Sequence, residues 1–213
     1  MFDTRIKICG ITSAADATLS LALGADYLGL LFVDSARRVT LETARSIRAA
    51  VPNALLVGVF MDAPLDDVVA TTKECSLNMI QLHGAESPDY CDALMTRISL
   101  PLIKSFSLAR LRDTRQMPEY RRISYFHFDL DKNTPLDRNG TVSPEQERLW
   151  QHAAVCRAKG YRIFVAGALN PANVRRAVGI VRPFGVDIAS GVEKRPGVKD
   201  AAALRRLIEE VHR

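Results

Sequence analysis

The chain has 213 residues, 47% of them hydrophobic and 25% charged, with a formal net charge of +5 at pH 7. This balance is that of an ordinary globular domain and excludes disordered and collagen-like chains. Apolar runs are strand-sized, well short of the roughly 20 residues that span a bilayer, and Lys and Arg are scattered rather than gathered in a stripe, so neither a membrane nor a nucleic acid is expected as partner.

Strand-sized runs are predicted at Arg5 to Gly10, Tyr27 to Phe32, Leu55 to Phe60, Met79 to Gly84, Leu100 to Phe106, Tyr125 to Asp129, Arg162 to Gly167 and Gly185 to Ser190. Between them, segments of helical period run from Ser13 to Leu23, Leu41 to Val51, Leu65 to Cys75, Pro88 to Ile98 and Pro144 to Ala158, with a last one from Ala201 to His212. Thr40 before Leu41, and Ser143 before Pro144 with Glu145 and Glu147 in the first turn, are helix-start signals. Leu108 to Tyr120 contains Pro118 and is the weakest helix prediction. Strands alternating with helices predict a parallel sheet. No GxGxxG follows the first strand, whereas glycines and polar residues recur just beyond several strands, so a single (β/α)8 TIM barrel over residues 1–213 is favoured above a doubly wound open sheet.

The N-terminal MFDTRIKICG carries no long secretory apolar stretch. A cytoplasmic location is expected by default, and Cys9, Cys75, Cys91 and Cys156, which show neither CxxC pairing nor Cys/His zinc spacing, read as free thiols in a reducing compartment. Cys9 ends the alternating run Arg5-Ile-Lys-Ile-Cys9, at the barrel edge where catalysis occurs. Its plain alternative is a small buried hydrophobe; as a base it needs positive potential to favour the thiolate. Asp129 closes Tyr125-Phe-His-Phe-Asp129, and Asp131 shares its face if the strand continues. A general acid there needs a pKa raised by burial or by a nearby negative charge; otherwise it is a solvated loop acid or a cap.

Val165-Ala-Gly-Ala-Leu-Asn-Pro-Ala-Asn173 and Asp187-Ile-Ala-Ser-Gly-Val-Glu193 end strands seven and eight, the usual barrel location for a phosphate. Asn170-Pro171 reads as a helix start. Arg37 has the geometry to grip a substrate carboxylate, and Gln81 and His83 share one strand face, where a structural hydrogen-bonding role is expected. These features call for a small phosphorylated substrate.

Taken in order, Lys7-Ile-Cys-Gly-Ile-Thr12, Ser35-x-Arg37, Val57-Gly-Val-Phe60, Ile80-Gln-Leu-His-Gly84, Ala166-Gly-Ala-Leu-Asn-Pro171 and Val186-Asp-Ile-Ala-Ser-Gly-Val-Glu193 with Gly197-x-Lys-Asp200 resemble the phosphoribosylanthranilate isomerase family over nearly the whole chain. The resemblance implies a (β/α)8 barrel that performs an Amadori rearrangement in tryptophan biosynthesis without metal or organic cofactor. It further implies Cys9 as general base and Asp129 as general acid, with Arg37 facing the anthranilate and Asp187 near the ribosyl hydroxyls. The phosphate would lie on the amides of Gly167, Ala168, Ser190 and Gly191.

Two departures from the family pattern stand out. The stretch from Leu130 to Val142 lacks a glycine-rich GGxGxxFxW loop, keeping Gly140-Thr141 and a tryptophan at Trp150. AGGL is replaced by Ala166-Gly-Ala-Leu169, so a methyl stands at Ala168, strained if that position requires positive φ. The altered loop leaves open a paralogue that rearranges another phosphorylated aminosugar, and the barrel alone leaves open a noncatalytic phosphometabolite-binding protein. Monomer or homodimer is not decided by the sequence.

Overall fold

In the computed structural model, which describes residues 4–131, 134 and 142–213, the eight apolar runs become eight parallel strands that close in sequence order, the eighth pairing with the first. They are β1 (Arg5–Cys9), β2 (Tyr27–Leu31), β3 (Leu55–Phe60), β4 (Met79–Leu82), β5 (Leu102–Ser107), β6 (Tyr125–Asp129), β7 (Ile163–Val165) and β8 (Gly185–Ile188). The helices outside them are α1 (Ala14–Leu23), α2 (Leu41–Ala50), α3 (Leu65–Glu74), α4 (Pro88–Arg97), α5 (Pro144–Ala158), α6 (Val174–Val181) and α7 (Ala201–His212). Each strand residue alternates in facing, because the strand period is 2. Ile6, Ile8, Leu28, Leu30, Leu56, Ile80, Leu82 and Phe128 therefore face the helices and are buried.

The inward residues change character along the barrel axis. At its N-terminal end Tyr27, Val57, Met79, Ile103, Tyr125 and Phe164 pack into a separate apolar plug closed by Phe184, with Tyr125 and Phe184 rings 4.6 Å apart. Gln81, Ser105 and His127 follow two residues further along β4, β5 and β6, and Lys7 of β1 and Asp187 of β8 join them; all five are buried. The wall thus turns from apolar to ionisable within one period of side chains.

Several local signals act as expected. Thr40 accepts the N–H of Thr43 at 3.1 Å. Ser143 and Gln146 cap each other reciprocally at the start of α5, which satisfies two of the helix's unpaired donors. Others need correction. Leu108–Glu119 winds as a 3-10 segment rather than an α-helix; Pro118 has no N–H to donate, which removes a helical hydrogen bond. Asn170 does not begin a helix directly. It accepts the N–H of Ala172 at 2.8 Å and its carbonyl accepts that of Val174 at 3.0 Å, forming a turn from which α6 starts at Val174. Beyond β8 a short antiparallel hairpin, β9 (Glu193–Arg195) and β10 (Val198–Lys199), arises that strand periodicity did not reveal. Among the described residues no helix is long and apolar enough to cross a membrane.

A buried ion pair ties two loops to the wall. Lys104, on the helix-facing side of β5, donates to Glu86 Oε2 at 2.8 Å and to the Gly84 carbonyl at 2.7 Å, while Glu86 Oε1 accepts the backbone N–H of Asp62 at 2.9 Å. The loops after β3 and β4 are thereby held at one height around the barrel mouth.

Candidate active site

At the C-terminal ends of the strands lies a cavity of about 370 Å³. Cys9, Arg37, Gln81, His83, His127, Asp129 and Asp187 line it, together with the loop residues Gly167, Ala168 and Ser190. Gly191 is not part of the lining. It packs against the Leu169 carbonyl so closely that a Cβ there would overlap it, which holds the loops after β7 and β8 together.

Cys9 sits at the end of β1 beside Gly29 of β2, where a Cβ would come within 2.7 Å of the sulfur, so the glycine makes room for the thiol. Burial pushes the Cys9 pKa above that of an ordinary thiol and the Asp187 charge adds to this, while the Lys7 and Lys199 ammonium groups oppose it. The positive potential that a base requires is present, supplied by two lysines and outweighed by burial.

Asp187 forms the cavity floor. Lys7 Nζ donates to its Oδ2 at 2.7 Å, and His127 Nε2 stands 3.0 Å from the same oxygen. Burial alone would raise the Asp187 pKa; the Lys7 charge and the His127 ring outweigh it and hold the carboxyl well below the usual carboxylate range. The Asp187 carboxylate likewise overcomes burial at Lys7 and raises that pKa above the lysine norm.

Asp129 lies across the mouth from Cys9, with its Oδ1 accepting the Leu130 N–H at 2.8 Å and its Oδ2 3.8 Å from His83 Nε2. Burial raises its pKa, with the charge of Asp187 adding and His127 opposing. Burial and the Asp187 charge thus act on Asp129 in the same direction. Asp131 is placed differently: β6 ends at Asp129, and Asp131 Oδ2 accepts the Ala109 N–H at 2.8 Å, in a smaller adjoining cleft.

Arg37 lines the cavity, but its bidentate geometry is given to Glu193, with Nε to Oε1 at 2.9 Å and Nη2 to Oε2 at 2.7 Å. Glu193 in turn accepts from Lys199 Nζ at 2.9 Å, and Lys199 donates to the Cys9 carbonyl at 2.6 Å. The hairpin β9–β10 therefore anchors both Arg37 and the Cys9 backbone. Gln81 Nε2 is 3.1 Å from Ser105 Oγ and 3.2 Å from His83 Nδ1, the hydrogen-bonding role expected of the pair. Burial, reinforced by repulsion from His127, brings the His83 pKa down to about 3, so its imidazole is neutral at physiological pH.

The loop after β7 is shaped by side-chain amides. Gln146 Nε2 donates to the Gly167 carbonyl at 2.9 Å and Asn173 Nδ2 to the Ala168 carbonyl at 3.1 Å. In a trans peptide the N–H points opposite to the carbonyl. Binding of these two carbonyls by side-chain amides therefore turns the N–H groups of Ala168 and Leu169, two residues that line the cavity, away from those amides. Asn173→Ala should raise KM for a phosphorylated substrate about tenfold, equivalent to roughly 1.4 kcal/mol, with kcat nearly unchanged; an unaltered KM in steady-state assays would count against this role.

Ala168 adopts φ 54°, the left-handed region that costs an L-residue with a Cβ about 1 kcal/mol relative to glycine. Ala168→Gly is expected to stabilise the fold by about 1 kcal/mol in urea unfolding, and no shift in midpoint would refute the strain. Trp150 lies in the core on α5, fully buried. The Gly140-Thr141 remnant and residues 132–133 and 135–141 of the altered loop lie outside the described residues.

Lys7, His127, Gln146, Asn173, Glu193 and Lys199 were given no role by sequence reasoning. For Lys7 and His127 a signal existed: each lies two residues before Cys9 or Asp129 on the same strand and so shares its inward face. For the other four, partners 5 to 190 residues away supply the meaning.

A closed barrel whose C-terminal mouth opens on a cavity lined by titratable side chains defines a TIM-barrel enzyme acting on a small molecule. Residues 6–210 match the family model for N-(5'phosphoribosyl)anthranilate (PRA) isomerase. The N-(5'-phosphoribosyl)anthranilate isomerase of Geobacter sp. (strain M21) is 40% identical over 210 residues, covering 97% of each chain. The phosphoribosyl anthranilate isomerase of Thermotoga maritima superposes with a TM-score of 0.85 at 32% identity over 98% of each chain. A structure of phosphoribosyl anthranilate isomerase in complex with reduced 1-(o-carboxyphenylamino)-1-deoxyribulose 5-phosphate superposes at 0.83, again with 32% identity and 98% of each chain. The chain belongs to the N-(5'-phosphoribosyl)anthranilate isomerase family.

Proposed function

We propose that this chain converts N-(5'-phosphoribosyl)anthranilate to 1-(2-carboxyphenylamino)-1-deoxyribulose 5-phosphate, the Amadori step of tryptophan biosynthesis, with Asp129 as general acid and Cys9 as general base. The observation that carries the assignment of roles is the pairing of a raised-pKa carboxyl and a thiol beside two lysines at one cavity. Asp129 delivers its proton to the furanose ring oxygen as the C1–O bond breaks, and the nitrogen lone pair forms the C1=N iminium. The cationic imine acidifies C2. Cys9 thiolate takes the C2 proton, the C–H electrons form the C1=C2 bond as the C1=N π electrons return to nitrogen, and the resulting enolamine tautomerises to the ketone.

The phosphate is assigned to the loops after β7 and β8, at Gly167, Ala168 and Ser190, with Gly191 packing the two loops together rather than lining the cavity; Asp187 faces the ribosyl hydroxyls. Arg37 receives the anthranilate carboxylate through whatever part of its guanidinium Glu193 leaves open, or by exchanging Glu193 for it. Four free cysteines support a reducing, cytoplasmic setting. The test is turnover of N-(5'-phosphoribosyl)anthranilate by the purified protein, beside a panel of phosphorylated aminosugars, with complementation of a tryptophan auxotroph lacking this isomerase. Failure on the anthranilate together with turnover of another aminosugar would reject the reading.

A further inference from the structure

Three metal-ligating side chains converge at the cavity. His83 stands just beyond β4, His127 and Asp129 share the inward face of β6, and one donor atom from each lies within 4.8 Å of the other two. His83 Nε2 is already 3.8 Å from Asp129 Oδ2, and the two imidazole rings are 5.6 Å apart between centroids. With zinc bonds of about 2.0–2.2 Å, neighbouring donors in a tetrahedral site lie roughly 3.4 Å apart. Side-chain shifts of about 1 Å would close this triad on a cation.

Two further observations point to a ligand rather than to a fortuitous cluster. The His127 side chain is 1% exposed, yet its Nδ1 has no hydrogen-bond partner, which is uncommon for a buried polar atom. Asp187 Oδ2, 3.0 Å from Nε2 of the same ring, occupies the place of the carboxylate that orients a metal-bound histidine. Three protein donors leave a fourth position facing the cavity, as in zinc sites that keep one position open.

We propose that His83, His127 and Asp129 bind one zinc ion, or a similar first-row divalent cation, and that its binding inhibits the isomerase. Two imidazoles and one carboxylate suit zinc, cobalt, nickel or copper; magnesium and calcium prefer all-oxygen sites. The metal takes the Asp129 carboxylate as a ligand, leaving it no proton to deliver to the ring oxygen. The inhibition rests on the reading of Asp129 as general acid; the binding does not. Cys9 lines the same cavity and is the competing ligand.

The experiment titrates chelator-treated protein with Co²⁺ in the absence of substrate and follows visible absorption. One equivalent should bind with the spectrum of a tetrahedral nitrogen and oxygen site, be displaced by Zn²⁺ and not by Mg²⁺. Affinity should fall at least tenfold in His83→Asn and in His127→Leu and stay unchanged in Cys9→Ser. Thermal unfolding of each metal-free variant verifies its fold; should His127→Leu not fold, His83→Asn, at a half-buried strand end, carries the test. In turnover assays Zn²⁺ should inhibit at the concentrations at which it binds, with reversal by EDTA. Absence of cobalt binding, equal affinity in the histidine variants, or a thiolate-to-cobalt band that vanishes in Cys9→Ser would each overturn the site while leaving the acid assignment intact. Stoichiometric zinc binding with undiminished turnover would overturn the inhibition and, with it, the role given to Asp129.

Discussion

Asp129→Asn and Cys9→Ala should each lower kcat by about 10²–10⁴-fold, the usual contribution of one general acid or base. Neither change should cost much stability. In Asp129→Asn the amide oxygen of the new side chain can still accept the Leu130 N–H now bonded at 2.8 Å, and Cys9 is a small side chain at a cavity edge, so both fall in the range of about 1 kcal/mol. Steady-state kinetics with urea unfolding on the same preparations decides the matter, and full turnover in either variant would end that residue's assignment. The pH profile provides a second reading. Catalysis needs Asp129 protonated while Cys9 is ionised, although a carboxyl, even one raised by burial, ionises before a thiol raised by burial. The active form is then a minority whose share is constant between the two pKa values. kcat/KM should form a flat-topped bell that falls below the Asp129 value and above the Cys9 value.

Lys7→Met is expected to destabilise the protein by about 3–5 kcal/mol, because removing one partner of a buried ion pair leaves the other charge uncompensated. Lys7 and Asp187 side chains are 0% and 6% exposed, so water cannot take the place of the ammonium. The sign with pH follows from the two shifts. The Asp187 pKa is depressed, so its contribution is present above the unfolded value of about 3.9 and lost as pH falls through the folded one; the Lys7 pKa is raised, so its contribution holds below about 10.4 and is lost as pH rises through the folded one. The deficit should therefore be the same from about pH 6 to about pH 8. Trp150, the single tryptophan and fully buried, reports unfolding by its fluorescence. Lys7→Met/Asp187→Leu should recover part of the loss, since the stranded charge is gone. Wild-type stability in the single variant would show that the pair carries no such energy.

Much of the barrel was legible because its signals are local. Period-2 alternation in Arg5 to Cys9 and Tyr125 to Asp129 sets which side chains face inward, and caps such as Thr40 and Ser143 need only their neighbours two or three residues on. The 3-10 winding of Leu108–Glu119 was foreshadowed only by Pro118. The positions of Cys9 and Asp129 at strand ends could be read from the chain. Their ionisation could not, since it depends on Lys7, Asp187, Lys199 and His127 meeting across the barrel.

Arg37 shows the same limit. Its planar fork suits a carboxylate on chemical grounds, but the partner actually gripped is Glu193, 156 residues away. Ala168 shows the opposite case, in which a single departure from the AGGL pattern announced a strained backbone that φ 54° then displays. By itself the sequence determined the eight-fold alternation of strand and helix, the inward parity of the wall and the family of the enzyme, because these reside in local periodicity and in short ordered motifs. Only the tertiary structure decided which charges meet, that Glu193 grips Arg37 and that Lys7 neutralises Asp187. Coulombic energy and burial depend on distances of a few ångströms, and barrel closure alone brings residues 180 positions apart to within 2.7 Å.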